Sequence, residues 1–96
     1  MLDKLSVDDF TPHIGQRFEV DQGKSPLLLE LVSATVSRVR TPDVRTGFSL
    51  IFRGAPQPLL PQGVQSVVHP TLGALGIFLV PIGPDVQGMR YEAIFN

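Results

Sequence analysis

Cysteine is absent from this chain of 96 residues. That removes disulfides, thiolate chemistry and cysteine zinc sites together, and it fits a cytoplasmic protein. Histidine is nearly absent. His13 and His69 are the only two, far apart in sequence, and neither sits in a ligand-spaced cluster. No metal and no cofactor is therefore expected. The start, Met1-Leu2-Asp3-Lys4, lacks the basic stretch followed by an apolar core that marks a secretory signal. No apolar run approaches the roughly 18 residues needed to span a bilayer, so no membrane span is expected. Charge is also balanced, with 8 Lys and Arg against 9 Asp and Glu and a net charge of -1. Nothing in that balance predicts nucleic acid as a partner.

The most telling scarcity is local. From Gly54 to Asn96 the formally charged side chains are Asp85, Arg90 and Glu92 alone. A domain this small buries about two thirds of its unfolded surface, enough for one core. Leu59, Leu60, Val64, Val68, Ile82, Val86 and Ile94 are too many for that core. Large exposed apolar patches usually mark protein contacts. The expectation is a contact surface built from Leu59, Leu60, Val68, Ile82 and Val86, used for self-association or for docking on a protein partner. An exposed strand edge would offer a second route.

What is present describes an all-β chain. The hydrophobic fraction of 43% and the charged fraction of 18% exclude disorder. Phe18 and Val20 alternate with Arg17, Glu19 and Asp21, the period of a half-buried strand. Leu27, Leu29 and Leu31 form one apolar set, and Ala34 and Val36 carry it onward with changed parity. That change predicts a bulge near Val32-Ser33. Phe48, Leu50 and Phe52 mark the clearest central strand. Pro56, Pro58 and Pro61 exclude a central strand over 54–61, where Leu59 and Leu60 are expected to anchor the chain on the core. Further strands are predicted over 63–69, 74–82 and 89–95. The stretch 74–82 is nearly continuous apolar, so both its faces are expected to be covered. Tyr91, Ala93 and Phe95 share one side of the last strand. At the start, Ser6 and Asp9 resemble a capping box opening a short helix over 7–13, with Leu5, Phe10 and Ile14 docking it. Pro12 keeps this helix short. The fold expected is all-β: about six mostly antiparallel strands in a small barrel or sandwich, residues 1–96 as one domain, with 1–14 a short helical segment packed on it.

Catalytic constellations are missing. Ser49 lies inside a strand without the second glycine of a nucleophile elbow. Glu19, Glu30 and Glu92 fall at solvent-facing positions, not across a cleft. Gly73 and Gly76 lack the Lys-Ser/Thr of a phosphate loop. His69, before Pro70, is suited to hydrogen-bonding the backbone of its turn. Asp8 and Asp9 near His13 suit a helix start better than a metal site. Arg38, Arg40, Arg45 and Arg53 form a candidate basic patch that would meet an acidic surface or a phosphate, with an ordinary solvated rim as the simpler reading. A non-enzymatic module is the expectation. The alternative is a small-ligand-binding β-barrel with its mouth near His69, Tyr91 and Arg53.

Five motifs carry a resemblance: Phe48–Gly54, Pro58–Gly63, His69–Gly73, Phe78–Pro84 and Tyr91–Asn96. Together they resemble an uncharacterised bacterial family of all-β proteins of about this length, a domain of unknown function. The resemblance implies no activity. Some members are encoded near phage-tail-collar-like proteins, which implies a structural or accessory role in a phage-tail-like assembly. One departure is Gln65, where the family pattern implies an aromatic.

Overall fold

Alternation along each strand sets the architecture. In the computed structural model, which describes residues 5–21, 26–36, 47–57 and 59–95, six strands follow a short helical start. The helix α1 is Val7–Phe10 and a 3-10 turn continues it over Thr11–His13. The strands are β1 (Arg17–Val20), β2 (Leu27–Val36), β3 (Phe48–Gly54), β4 (Gly63–His69), β5 (Gly73–Asp85) and β6 (Gly88–Phe95). All pairings are antiparallel, and they close a barrel in the order β1-β2-β3-β6-β5-β4. The barrel alternative of the sequence reading is the one that forms.

Two long strands make closure possible. β2 pairs with β1 through Leu27–Glu30 and with β3 from Glu30 onward. β5 pairs with β4 through Gly73–Leu79 and with β6 from Val80 onward. Each strand thus passes from one half of the barrel to the other, and each carries a register shift just after the handover. The shifts lie between Leu31 and Ser33 and between Pro81 and Gly83. An extra residue bends a strand and increases its twist, which closure of so few strands demands. The first bulge is where the parity change in sequence put it.

Inward side chains fill the interior. Phe18, Val20, Leu29, Leu31, Leu50, Phe52, Val67, Ile77, Leu79, Tyr91 and Phe10 are fully buried. Phe18 meets Phe52 edge-on at 5.3 Å between centroids, and Phe48 stacks on Phe95 at 4.5 Å. Phe10 reaches down from α1 onto that stack, 5.8 Å from Phe48 and 5.7 Å from Phe95. The helix begins with a capping box: Asp9 Oδ2 accepts from the Ser6 backbone N–H at 2.7 Å. Of the expected docking residues, Phe10 is buried and Leu5 packs against the core. Ile14 does not dock. It follows the 3-10 turn and points outward.

Two further expectations change. β5 does not end at Ile82 but runs through Gly83 and Pro84 to Asp85. Prolines fit there because that half of β5 has only β6 as a described neighbour and needs no donors on its far side. Nor are both faces of β5 covered. Leu75, Ile77 and Leu79 point into the barrel, while Phe78 stands on its outer wall, 49% exposed. A barrel has one interior, so only one of the two apolar faces of β5 can be covered by it.

Backbone crowding is strongest where β3 meets the β5–β6 turn. Gly88 has φ +152°, and a Cβ there would collide with the Gly54 carbonyl oxygen. At Gly76 a Cβ would meet only Val64 Cγ1, at 3.6 Å. Gly88→Ala is therefore expected to cost more than about 1 kcal/mol, and Gly76→Ala much less, by urea denaturation. In the same assay Phe52→Ala should cost roughly 3–5 kcal/mol.

Candidate functional site

The outer wall of the β4–β5 hairpin carries no charged side chain. Across it Val64 faces Phe78, Ser66 faces Gly76 and Val68 faces Ala74. Val64 is 70% exposed, and Val68 is exposed as well. Between Gly63 and Leu79 the sequence holds no acid, lysine or arginine, and the one histidine is buried. This wall is uncharged and mostly apolar, with the Ser66 hydroxyl at its middle. Gly76 leaves space beside Val64 that a side chain would otherwise occupy.

Of the expected contact residues, Leu59, Val68, Ile82 and Val86 are exposed. Leu60 is not. It is buried in the core, and its backbone N–H donates to the Tyr91 hydroxyl at 3.0 Å. One of two adjacent leucines had to turn inward to fix the proline-rich stretch, and Leu60 is that anchor. Val64 and Ile94, also read as surplus to the core, are exposed too. Phe78 was missed as a surface residue because its strand reads as apolar throughout. Only the barrel topology separates its two faces.

Charged side chains gather elsewhere. Register places Arg17 opposite Glu30, Glu30 opposite Arg53 and Arg53 opposite Arg90, a row across four strands. Asp85 Oδ2 accepts from Arg53 Nε at 3.1 Å and from Nη2 at 2.7 Å. Asp85 Oδ1 accepts from the backbone N–H groups of Gln87 and Gly88, at 2.8 and 3.0 Å. One carboxylate thus holds the β5–β6 turn and neutralises Arg53. The Arg53 hydrogen bonds, with the Gln87 backbone bond, hold the Asp85 carboxyl below its ordinary value, and the same pairing raises Arg53. Arg53 is no free member of a basic patch. Arg38, Arg40 and Arg45 lie outside the described residues. Beside this row is a shallow open depression of about 190 Å³, lined by Arg17, Leu28, Glu30, Arg53, Ala55 and Gln87 among others.

His69 is buried and wholly engaged. Its Nδ1 accepts from the backbone N–H groups of Thr71 and Leu72, at 3.1 and 3.3 Å, as expected of a turn histidine. Nε2 must then carry the proton, and it donates to Gln16 Oε1 at 2.7 Å. His13 Nδ1 reaches the same oxygen at 2.9 Å, and the two rings lie 4.4 Å apart. Two imidazole nitrogens converging on one point resemble a metal site, but a protonated Nε2 offers no lone pair to a metal. Among the described residues no group of three or more His, Cys, Asp or Glu could hold a metal ion.

His69 and Tyr91 do not share a barrel mouth. His69 pairs with Gly73 and Tyr91 with Pro81. Those β5 positions are separated by about 26 Å at the usual rise of a strand. Tyr91 is fully buried, its hydroxyl accepting from Leu60. Around it the barrel interior is packed with apolar side chains.

The profile of a family described as a domain of unknown function, DUF6916, matches residues 5–95. The chain belongs to that family. No curated protein and no solved structure matches it. The DUF6916 match runs from the segment before α1 to the end of β6, so the helical start belongs to the family unit. No described helix is long and apolar enough to cross a membrane.

The Arg53–Asp85 pair gives a pH test. A carboxyl held below its ordinary value stabilises the fold above that value, 3.8, and the stabilisation is lost as pH falls through the lowered one. Asp85→Asn should therefore be less stable than the parent chain at neutral pH. The gap should close on acidification below the carboxylate range, measured as urea midpoints across pH.

Proposed function

We propose that this DUF6916 domain is a non-enzymatic interaction module that makes protein contacts through the outer wall of the β4–β5 hairpin. The observation that carries this reading is the cross-strand set Val64–Phe78, Ser66–Gly76 and Val68–Ala74, exposed and without a charged side chain among them, bordered by Glu19 opposite Val68 and by Asp85 at the far end of β5. Single exposed apolar residues are ordinary on a protein surface. A contiguous set on one face, with no charge among them, marks a contact. Leu59, Ile82 and Val86 would flank or extend it, and either a protein partner or a second copy would cover it. The finer reading adds a setting: an accessory of a phage-tail-like assembly in a bacterial cytoplasm. That setting draws on the family resemblance and the cysteine-free sequence. The apolar wall suits a subunit packed laterally among others.

The test compares the parent chain with a Val64→Ser, Phe78→Ser double variant. Val64 is 70% exposed and Phe78 49%, both on the outer wall, so folding should survive, with the urea midpoint little changed. The parent should show a concentration-dependent rise in mass by light scattering, or hold a specific protein from its own host. The variant should lose that behaviour. A parent that stays strictly monomeric and binds nothing, or a variant that associates equally well, would count decisively against this reading.

A further inference from the structure

Side-chain size changes along the outer wall of the β4–β5 hairpin, and it changes on both strands together. Val64 lies across from Phe78, and this exposed pair stands up from the wall as a ridge. One step along, Ser66 lies across from Gly76, an exposed pair of small residues. A Cβ at Gly76 would touch only Val64 Cγ1, at 3.6 Å, so the second pair is a groove. Ridge and groove cross the same two strands, about 7 Å apart at the usual rise. We propose that this wall binds a second copy of the chain face to face about a two-fold axis, each Val64–Phe78 ridge lying in the other copy's Ser66–Gly76 groove. The partner of the proposed contact surface, on whose use this pairing rests, is thus the chain itself.

An axis lying in the contact plane, across the strands and level with Gln65 and Ile77, gives this arrangement. It sets β5 antiparallel over β5 and β4 over β4. Position 76 of each copy then faces position 78 of the other, and position 66 faces position 64. Each groove receives the ridge opposite it, the reciprocity that a two-fold contact requires. That works only if both strands carry large and small residues in the same order, and the register Val64–Phe78, Ser66–Gly76 meets the condition. Ile77 is buried in the barrel and leaves the axis clear.

A wall that pairs with itself must not bring like charges together. Between Gly63 and Leu79 there is no acid, lysine or arginine. On the bordering strand Glu19 lies opposite Val68. Val68 pairs with Ala74, three positions from the axis, so the Glu19 side chains of the two copies stand about 20 Å apart along the strands. That is beyond the screening length of about 8 Å at physiological salt. Asp85 lies farther from the axis still. The paired face is small. Its two strands span about 24 Å by 10 Å, roughly 240 Å² against the about 800 Å² per partner of a stable complex. The pair is therefore weak. It forms at high protein concentration, or where copies are already held near one another.

The experiment is sedimentation equilibrium on the full chain across concentration, with two single variants taken alone and mixed. Gly76→Phe turns the groove into a second ridge. Phe78→Gly turns the ridge into a second groove. Position 76 has open space for a side chain and Phe78 stands on the outer wall, so both should fold, which urea midpoints check. Phe78→Ala serves if the glycine weakens the strand too far. Each variant alone should associate about tenfold or more weakly than the parent. An equimolar mixture should recover association, because the two ridges of one variant meet the two grooves of the other. A parent that stays monomeric at about 1 mM, a Gly76→Phe variant that associates as well as the parent, or a mixture no better than its components would each overturn the two-fold pairing. If the monomeric parent still holds a different protein through Val64 and Phe78, the pairing fails and the contact surface stands. If Val64→Ser, Phe78→Ser associates as the parent does, both fail.

Discussion

Everything in this structure depends on two strands changing partners midway. A six-stranded barrel closes only if its sheet turns sharply at two places, and β2 and β5 supply both turns. Each gives its first half to one neighbour and its second half to another, with an extra residue at the changeover. The side chains around those bends decide the rest. Leu31, just before the first bulge, is buried, and its backbone also binds the chain at residues 15 and 16. Thus the feature that bends β2 also fixes where the helical start can lie. At the second bulge, the continuation of β5 carries Asp85 back towards β3, within reach of Arg53.

A consequence is a molecule with unlike walls. The charged row runs through β1, β2, β3 and β6, where each strand contributes an outward Arg or Glu in register. The β4–β5 hairpin contributes none. Ion pairs at partly exposed positions add modest stability, and the Arg53–Asp85 pair does more by fixing a turn than by attraction alone. The two walls differ in hydration, which separates a face that stays wet from one that is cheaply dried.

Much of the fold was legible in sequence because strands announce themselves by period. Phe18 and Val20, Phe48 through Phe52, and Tyr91 through Phe95 each alternate, and each took the predicted face. The shift from Leu31 to Ala34 was readable as a bulge for the same reason. Periodicity failed on β5, where apolar residues occupy both parities. Phe78 and Ile77 look alike there until the barrel gives one of them an inside. The prolines at 81 and 84 looked like an end of strand because sequence does not show which strand edges lie unpaired. The Arg53–Asp85 pair and the His13–Gln16–His69 cluster were illegible because their members are brought together by register across the barrel, over separations that local pattern does not register. For Leu59 and Leu60, composition predicted surplus apolar surface but could not say which neighbour turned inward.

The prolines in the second half of β5 have one more consequence. An apolar, uncharged hairpin is the kind of segment that recruits copies of itself edge to edge into fibrils. Past Val80 the far edge of β5 has no described neighbour, so it is where such growth would start. Pro81 and Pro84 have no N–H to give an arriving strand. The barrel therefore keeps an apolar wall beside an edge that resists templating.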